Sequence, residues 1–196
     1  MTDTLTSRTP SATGERSTLM KLYLIRGVLA VAWAAAWAGA HDTLDAVAIT
    51  LLVVYPLIDA VSSLIDHRAL PVGAERSITA FNAVLSTLAA IGVGLAGAAS
   101  EAAVLAAFGA WAVISGAAQL VVGLRRRGPE LGNQWPVLIA GGLSFLVGIF
   151  YVIQAAGDDP SLDVLSVYAT GGGVFFILQA GLLALKARKA RHRSAA

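Results

Sequence analysis

Two ionisable residues, Arg26 and Asp59, stand inside long apolar stretches of the chain. A lone charge at the centre of a bilayer costs about 2.5–3.5 kcal/mol, and intramembrane charges usually pair and mark a function. Arg26 lies about one helical turn into the first apolar stretch, and Asp59 lies about two turns before the end of the second. These positions have a similar depth in an antiparallel hairpin, so the sequence predicts an intramembrane ion pair.

A second interpretation keeps the two side chains separate. Arg26 is long enough to reach the lipid headgroups without a partner. Asp59 is too short for that, and it would then be neutral and hydrogen-bonded to a neighbouring helix. The residues alone leave both interpretations open.

Amide side chains extend this sparse polar set. Asn82, Gln119 and Gln179 lie in the apolar region and form a candidate polar core. A proton relay generally needs a chain of ionisable groups, and only Arg26 and Asp59 supply them here. The inventory therefore favours a non-transporting protein over a channel or transporter.

The chain lacks the residue sets of familiar catalytic and metal sites. It has no cysteine, which excludes disulfides, thiol nucleophiles and thiolate metal centres. Its histidines, at positions 41, 67 and 192, are far apart in sequence and have no partner at ligand spacing. We therefore predict a protein that is not an enzyme and that has no metal or cofactor.

Composition places the chain in a membrane. Hydrophobic residues make up 57% and charged residues 13% of its 196 positions, whereas soluble proteins have about 25% charged residues. An α-helix needs roughly 20 apolar residues to cross a bilayer. Runs of this length cover residues 22–40, 44–65, 78–99, 102–124, 135–156 and 162–185. The predicted fold is all-α, a polytopic membrane protein with six transmembrane helices as three tandem helical hairpins.

The two ends of the chain differ from this membrane domain, which we assign to residues 19–187. Residues 1–18 are rich in serine and threonine, and they predict a disordered cytoplasmic tail. Residues 188–196 form a basic cytoplasmic tail. Next to a span, a basic run is expected to meet anionic lipid headgroups rather than nucleic acid.

Charge segregation predicts the orientation. All 14 lysines and arginines lie in the two tails, the second loop and the fourth loop, if Arg26 is counted with the first tail. Cytoplasmic loops carry such an excess, so both termini and these loops are predicted to be cytoplasmic. The other loops carry six acids and His41. These groups either titrate as a pH sensor or merely keep the outer face hydrated, and the charge rule favours the second interpretation.

The first run also has features of a secretory signal peptide. Ala38-Gly39-Ala40 precedes His41 and resembles a cleavage site. Cleavage there would leave five spans and an external N-terminus. An internal repeat argues for an intact first helix.

That repeat has the period of one helical hairpin. The segments GVLAVAWA, AVLSTLAA and GGLSFLVG begin at residues 27, 83 and 141, and Asp59, Gln119 and Gln179 follow one another at intervals of 60 residues. Composition alone can make such helices look alike, but the match of period and topology favours a true parallel repeat.

Several segments together resemble one known family. Arg26-Gly27, YPLIDAVSSLI in the second run, WAVISGAAQLVVGLRRR in the fourth and GGLSFLVGIF in the fifth are similar to HdeD-type acid-resistance membrane proteins. The resemblance covers about residues 19–190. Asp59-Ala60 stands where the family is expected to have Asp-Gly. The resemblance implies an inner-membrane protein of acid or general stress tolerance, without a catalytic residue or an established mechanism.

Three functions follow as hypotheses. The first is a non-enzymatic stress-tolerance protein that acts by assembly or partner contact, and a homo-oligomer is compatible with it. The second is a small secondary transporter or channel for protons or a small solute. A membrane-embedded enzyme comes last, because no nucleophile and base are paired.

Overall fold

The computed structural model describes residues 12–69, 72–125 and 135–194 of the chain. Within these ranges the secondary structure is helical throughout and contains no strand. The helices in chain order are α1 (Ala12–Ala38), α2 (Ala46–Ala69), α3 (Ala74–Gly97), α4 (Glu101–Arg125), α5 (Trp135–Ala155) and α6 (Val164–Ser194).

Five of these described helices, α2 to α6, are long and apolar enough to cross a membrane. In α1 the described apolar segment, Leu24–Ala38, is shorter than a full span. The all-α prediction is therefore confirmed, and a multi-pass membrane protein is indicated. Residues 1–11 of the predicted tail lie outside the described residues, and α1 already begins at Ala12.

Hydrogen bonds from side chains cap the start of α2 and connect its end to α3. Asp45 Oδ1 accepts the backbone N–H groups of Val47 and Ala48, both at 2.9 Å, and so caps α2. Between α2 and α3, His67 Nδ1 lies 2.8 Å from the Arg76 carbonyl oxygen. These contacts fix where α2 begins and how its end meets α3.

The chain divides into two compact units, residues 1–31 with 170–196 and residues 32–169. In the second unit α3 packs against both α2 and α4, and α4 packs against α5. The contacts of α2 with α3 and of α4 with α5 are the more extensive ones. These pairs are joined by the predicted cytoplasmic loops, so the strongest packing crosses the boundaries of the predicted hairpins.

The core of residues 32–169 is aromatic. Trp37 is 0% exposed, and Phe108 and Tyr151 are nearly as deeply buried. The rings of Trp33 and Trp37 stack with centroids 5.5 Å apart, and Tyr55 lies 4.5 Å from Trp33. Aromatic side chains from several helices therefore fill the centre of this unit.

Candidate functional site

A polar cluster lies between α2 and α3, and we call it the Asp59 cluster. Asp59 and Ser63 are four residues apart on α2, and Asn82 and Ser86 are four apart on α3. Residues at this spacing share one face of a helix. Because the helices are antiparallel, the two polar faces meet, with Asp59 opposite Ser86 and Ser63 opposite Asn82.

Hydrogen bonds join all four members of the Asp59 cluster. Asp59 Oδ2 accepts from Ser86 Oγ and from Asn82 Nδ2, each at 2.7 Å. Asn82 Nδ2 also donates to Ser63 Oγ at 2.8 Å. Ser63 and Ser86 are buried, while Asp59 and Asn82 are half-buried. One carboxylate oxygen thus gathers donors from two positions on the facing helix.

The cluster continues onto α4 through Ser86. Trp111 Nε1 donates to Ser86 Oγ at 3.1 Å, and Ser86 donates onward to Asp59. Ser86 is 0% exposed and Trp111 is 8% exposed. A relay of hydrogen bonds therefore runs from an α4 indole through an α3 hydroxyl to an α2 carboxylate.

Tyr55 lies on α2 four residues, about one turn, before Asp59. Tyr55 also makes an edge contact with Trp111, with ring centroids 6.1 Å apart. The Asp59 cluster is therefore continuous with the aromatic core.

Polar atoms of the core aromatics bond to backbone carbonyls and to a serine. Trp37 Nε1 donates to the Leu162 carbonyl at 3.1 Å, and Tyr151 Oη donates to the Val164 carbonyl at 3.1 Å. Tyr168 Oη lies 2.9 Å from Ser144 Oγ. In the described part of the chain, no buried side-chain polar atom is left without a hydrogen bond. Such satisfied networks favour one rigid arrangement.

Glycines bring the backbones of α4 and α5 into contact. A Cβ atom on Gly116 would lie 2.7 Å from the Gly141 carbonyl oxygen and 2.5 Å from the Phe145 nitrogen. One on Gly109 would lie 2.8 Å from the Gly148 carbonyl oxygen. Small residues at facing positions allow this close approach of membrane helices.

The unit formed by residues 1–31 and 170–196 has the same kind of contact. A Cβ atom on Gly173 would lie 2.9 Å from the Gly27 carbonyl oxygen and 3.1 Å from the Val31 nitrogen. Gly116 and Gly173 each face two residues one turn apart on the neighbouring helix. We call each such position a seam position, and the helix contact around it a seam.

Two of the seam positions lie at a regular interval from Asp59 along the chain. Asp59, Gly116 and Gly173 follow one another at intervals of 57 residues. Asp59 also faces two residues one turn apart, Asn82 and Ser86. Asp59, Gly116 and Gly173 thus make similar contacts with the helix that each of them faces. The alignment of Asp59 with Gln119 and Gln179 at intervals of 60 residues stays a prediction.

The residues predicted from sequence are distributed over both units. Asn82 joins Asp59 directly, whereas Gln119 lies at the α4–α5 seam, its Cβ 2.8 Å from where a Cβ on Gly141 would be. Arg26 and Gln179 are half-buried in the other unit. The Arg26–Asp59 pair and the joint polar core of the three amides stay predictions.

Sequence reasoning missed Ser63, Ser86 and Trp111 as members of this site. The available signal was the four-residue spacing of polar side chains on α2 and on α3. That signal becomes specific only once the register of the two helices is known.

In the predicted external loops, the His41 ring lies close to two carboxyl groups. His41 Nδ1 lies 2.9 Å from Asp163 Oδ1 and 3.4 Å from Asp42 Oδ1. The side chains of Asp42 and Asp163 are well exposed, at 94% and 68%. Exposed pairs contribute little to stability, so this contact leaves both interpretations of the external acids in place.

In the described ranges, no group of three or more His, Cys, Asp or Glu side chains is arranged so that it could hold a metal ion. Comparisons of the chain with protein-family models, with curated proteins and with solved structures found no match.

Proposed function

We propose that this chain is a non-enzymatic integral protein of the bacterial cytoplasmic membrane that serves acid or general stress tolerance by assembly or partner contact. Six spans in three tandem hairpins, with both termini cytoplasmic, are part of the proposal. The five helices α2 to α6 support it, and α1 contributes the apolar segment Leu24–Ala38. The role in stress tolerance rests on the resemblance to HdeD-type proteins.

The main observation in favour of a role in assembly is the densely packed interior of residues 32–169. Trp37, Phe108 and Tyr151 occupy its centre, and the polar atoms of Trp37 and Tyr151 bond to backbone carbonyls. Dense packing with satisfied polar groups is typical of a rigid unit. Such a unit is suited to presenting its outer helix faces to lipid or to other membrane helices.

One outer face of α3 is apolar and exposed, as a face that contacts lipid or another membrane helix should be. Large apolar side chains at every third or fourth position are at least half exposed, and they are Phe81, Val84, Leu88, Ile91 and Leu95. This spacing places them on one stripe of the helix. We expect this apolar stripe to contact the lipid bilayer.

Basic residues support the proposed orientation and a contact with anionic lipid. Arg68 lies in the last turn of α2 and Arg125 in that of α4, and both are exposed. Since α3 packs between these two helices, their C-terminal ends are on the same side. Basic residues near a membrane surface attract anionic headgroups by about 1 kcal/mol each.

A survival assay tests the proposed function. A strain lacking the gene, in an acid-sensitive background, is exposed to acid and complemented with the wild-type chain. We expect survival to fall in the deletion strain and to return on complementation, without hydrolase or transferase activity of the purified protein. Unchanged survival would count against the stress-tolerance role.

A second candidate function is a small secondary transporter or channel. The observation in its favour is the Asp59 cluster, because an ionisable residue within a span marks a functional site by default. Proteoliposomes under a pH gradient separate the two functions. Proton or solute flux above that of empty vesicles would favour transport, and its absence would favour assembly.

A further inference from the structure

Two arginines stand at adjoining ends of neighbouring membrane helices. The apolar spans of α2 and α3 are Ala46–Arg68 and Arg76–Gly97, so Arg68 ends the first span and Arg76 begins the second. Because α2 packs against α3, and packed helix axes lie about 8–10 Å apart, both arginines lie in one small region of the surface. Arginines at the ends of membrane helices reach the level of the lipid headgroups.

His67 holds Arg76 by its backbone and by its side chain. His67 Nδ1 donates to the Arg76 carbonyl oxygen at 2.8 Å, and His67 Nε2 accepts from Arg76 Nε at 3.4 Å. A guanidinium group has five N–H donors, and the contact with His67 uses only the one on Nε. The N–H groups on the two Nη atoms remain for a ligand, and the histidine orients the half-buried side chain that presents them.

Arg68 continues an apolar stripe on the outer face of α2, which we call the α2 stripe. Its members Leu57, Val61 and Ile65 are exposed, and so is Arg68. Spacings of three and four residues place all of them on one face of the helix. From Leu57 to Arg68 this face is about 16 Å long at a rise of about 1.5 Å per residue. One leaflet of the hydrocarbon core has a similar thickness, about 15 Å, so an acyl chain fits along the stripe with its headgroup at Arg68.

We propose that Arg68 and Arg76 bind the phosphate group of one anionic phospholipid, whose acyl chain lies along the α2 stripe. His67 is the residue that positions Arg76. This inference rests on the proposed membrane location and cytoplasmic side of the α2–α3 loop. It deepens the general contact with anionic lipid into one selective site.

The chemistry of the site favours an anionic headgroup over a zwitterionic one. A guanidinium group donates two parallel N–H bonds to the oxygens of a phosphate, and two arginines supply two positive charges. A phosphatidylcholine headgroup contains a cationic amine that these charges repel, whereas a phosphatidylglycerol headgroup contains none. Basic pockets between membrane helices on the cytoplasmic side bind anionic headgroups by the same means.

Two acids occur in the same segment and would oppose an anion if they faced it. Asp66 comes two residues before Arg68, and Glu75 comes one residue before Arg76. Helix positions one or two residues apart do not face each other. Asp66 is half-buried and has an interaction of its own. Neither acid position therefore shares a helix face with the arginine beside it.

Native mass spectrometry of the full-length protein in detergent tests the site. The protein is mixed with phosphatidylglycerol or with phosphatidylcholine, and we expect one phosphatidylglycerol to bind selectively to each chain. Arg68→Gln and Arg76→Gln should each weaken this binding at least about tenfold, because each removes hydrogen bonds to a charged group. Arg125→Gln is the matched control, since Arg125 is an exposed arginine in the last turn of α4, and it should keep the affinity. Equal losses for the three variants, or equal binding of the two lipids, would overturn the proposal.

Two further variants separate recognition from charge. Arg68→Lys keeps the positive charge and loses the paired N–H bonds, so we expect it to weaken binding, whereas Arg125→Lys should not. His67→Ala leaves both arginines in place and removes only the contacts that position Arg76. Thermal unfolding checks that each variant folds, and the exposed Arg68→Lys keeps the test valid if Arg76→Gln does not. Wild-type affinity in both Arg68→Lys and His67→Ala would overturn the site.

Competition and mass distinguish the other occupants of this surface. Inorganic phosphate should not displace the lipid, because it cannot use the α2 stripe, and complete displacement would overturn the lipid as the ligand. A dimer that forms without lipid and prevents its binding would assign the surface to a second copy of the chain and would overturn the proposal as well. The assay is independent of cell survival. Its failure therefore leaves the stress-tolerance role standing, and unchanged acid survival leaves the lipid site standing.

Discussion

Gly116 and Gly141 touch through their backbones, so that a Cβ atom on Gly116 would lie 2.7 Å from the Gly141 carbonyl oxygen. Real Cβ atoms essentially never approach closer than 3.0 Å. The opposing atoms are backbone, which cannot turn aside as a flexible side chain can. This contact therefore sets the distance between α4 and α5.

Gly116→Ala should push these helices apart. Overpacking of this kind typically costs about 1–3 kcal/mol, and unfolding of the purified protein in mixed micelles measures it. Gly142→Ala is the matched control, because the nearest atom to its Cβ would be 3.9 Å away. Its effect should stay within about 0.5 kcal/mol. Equal losses for the two variants would show that the α4–α5 contact is not tight.

Ser86→Ala should destabilise the protein through two lost hydrogen bonds. It removes the donor to Asp59 and leaves Trp111 Nε1 without its acceptor, at a cost of roughly 1–3 kcal/mol for a buried unsatisfied group. The neighbouring Thr87→Ala is the control, since Thr87 is exposed and bonds to the Ala83 carbonyl of its own helix. The same unfolding assay should show a clear difference between them, and a smaller loss for Ser86→Ala would contradict the assignment.

The ion pair between Arg26 and Asp59 is tested by a double-mutant cycle. If the side chains pair, Arg26→Ala and Asp59→Ala should each destabilise the protein more than the double substitution does. Interacting residues typically show coupling of about 0.5–3 kcal/mol. Coupling indistinguishable from zero would favour the interpretation in which each side chain acts separately.

Reporter fusions test the topology. Fusions after Arg127 and after Ala196 should score as cytoplasmic, and one after Asp159 as external, because the basic residues are fully segregated. An N-terminal fusion should also score as cytoplasmic if α1 crosses the membrane. An external N-terminus together with a cytoplasmic C-terminus would indicate five spans, and an external score at Arg127 would reverse the orientation.

Composition and run length were sufficient to predict the helices. Runs of about 20 apolar residues, such as 102–124, become helices such as α4 because backbone groups in a bilayer must bond within their own segment. The predicted ends differ from the observed ones by only a few residues at α4 and α5. Helix ends that extend beyond the bilayer, such as the start of α1 at Ala12, have no such constraint.

The candidate site was predictable only in part. Asp59 was visible in the sequence because a carboxylate in an apolar run stands out, and Asn82 was visible for a similar reason. Their pairing was not, because many registers of two apolar helices bury similar areas. The close contacts at Gly94 and Gly97 with side chains of α2 help to select the register that brings Asp59 to Asn82 and Ser86.

By itself, the sequence determined that this chain forms apolar helices with segregated basic residues and with a carboxylate, Asp59, well inside its second run. These properties follow from the cost of placing polar and charged groups in hydrocarbon, which acts on each segment alone. Tertiary structure decided which helices pack together and which residues face one another across each helix contact. It connected Asp59 to Trp111 through Ser86 and brought Gly116 against Gly141, because backbone contact and hydrogen-bond geometry depend on the facing helix.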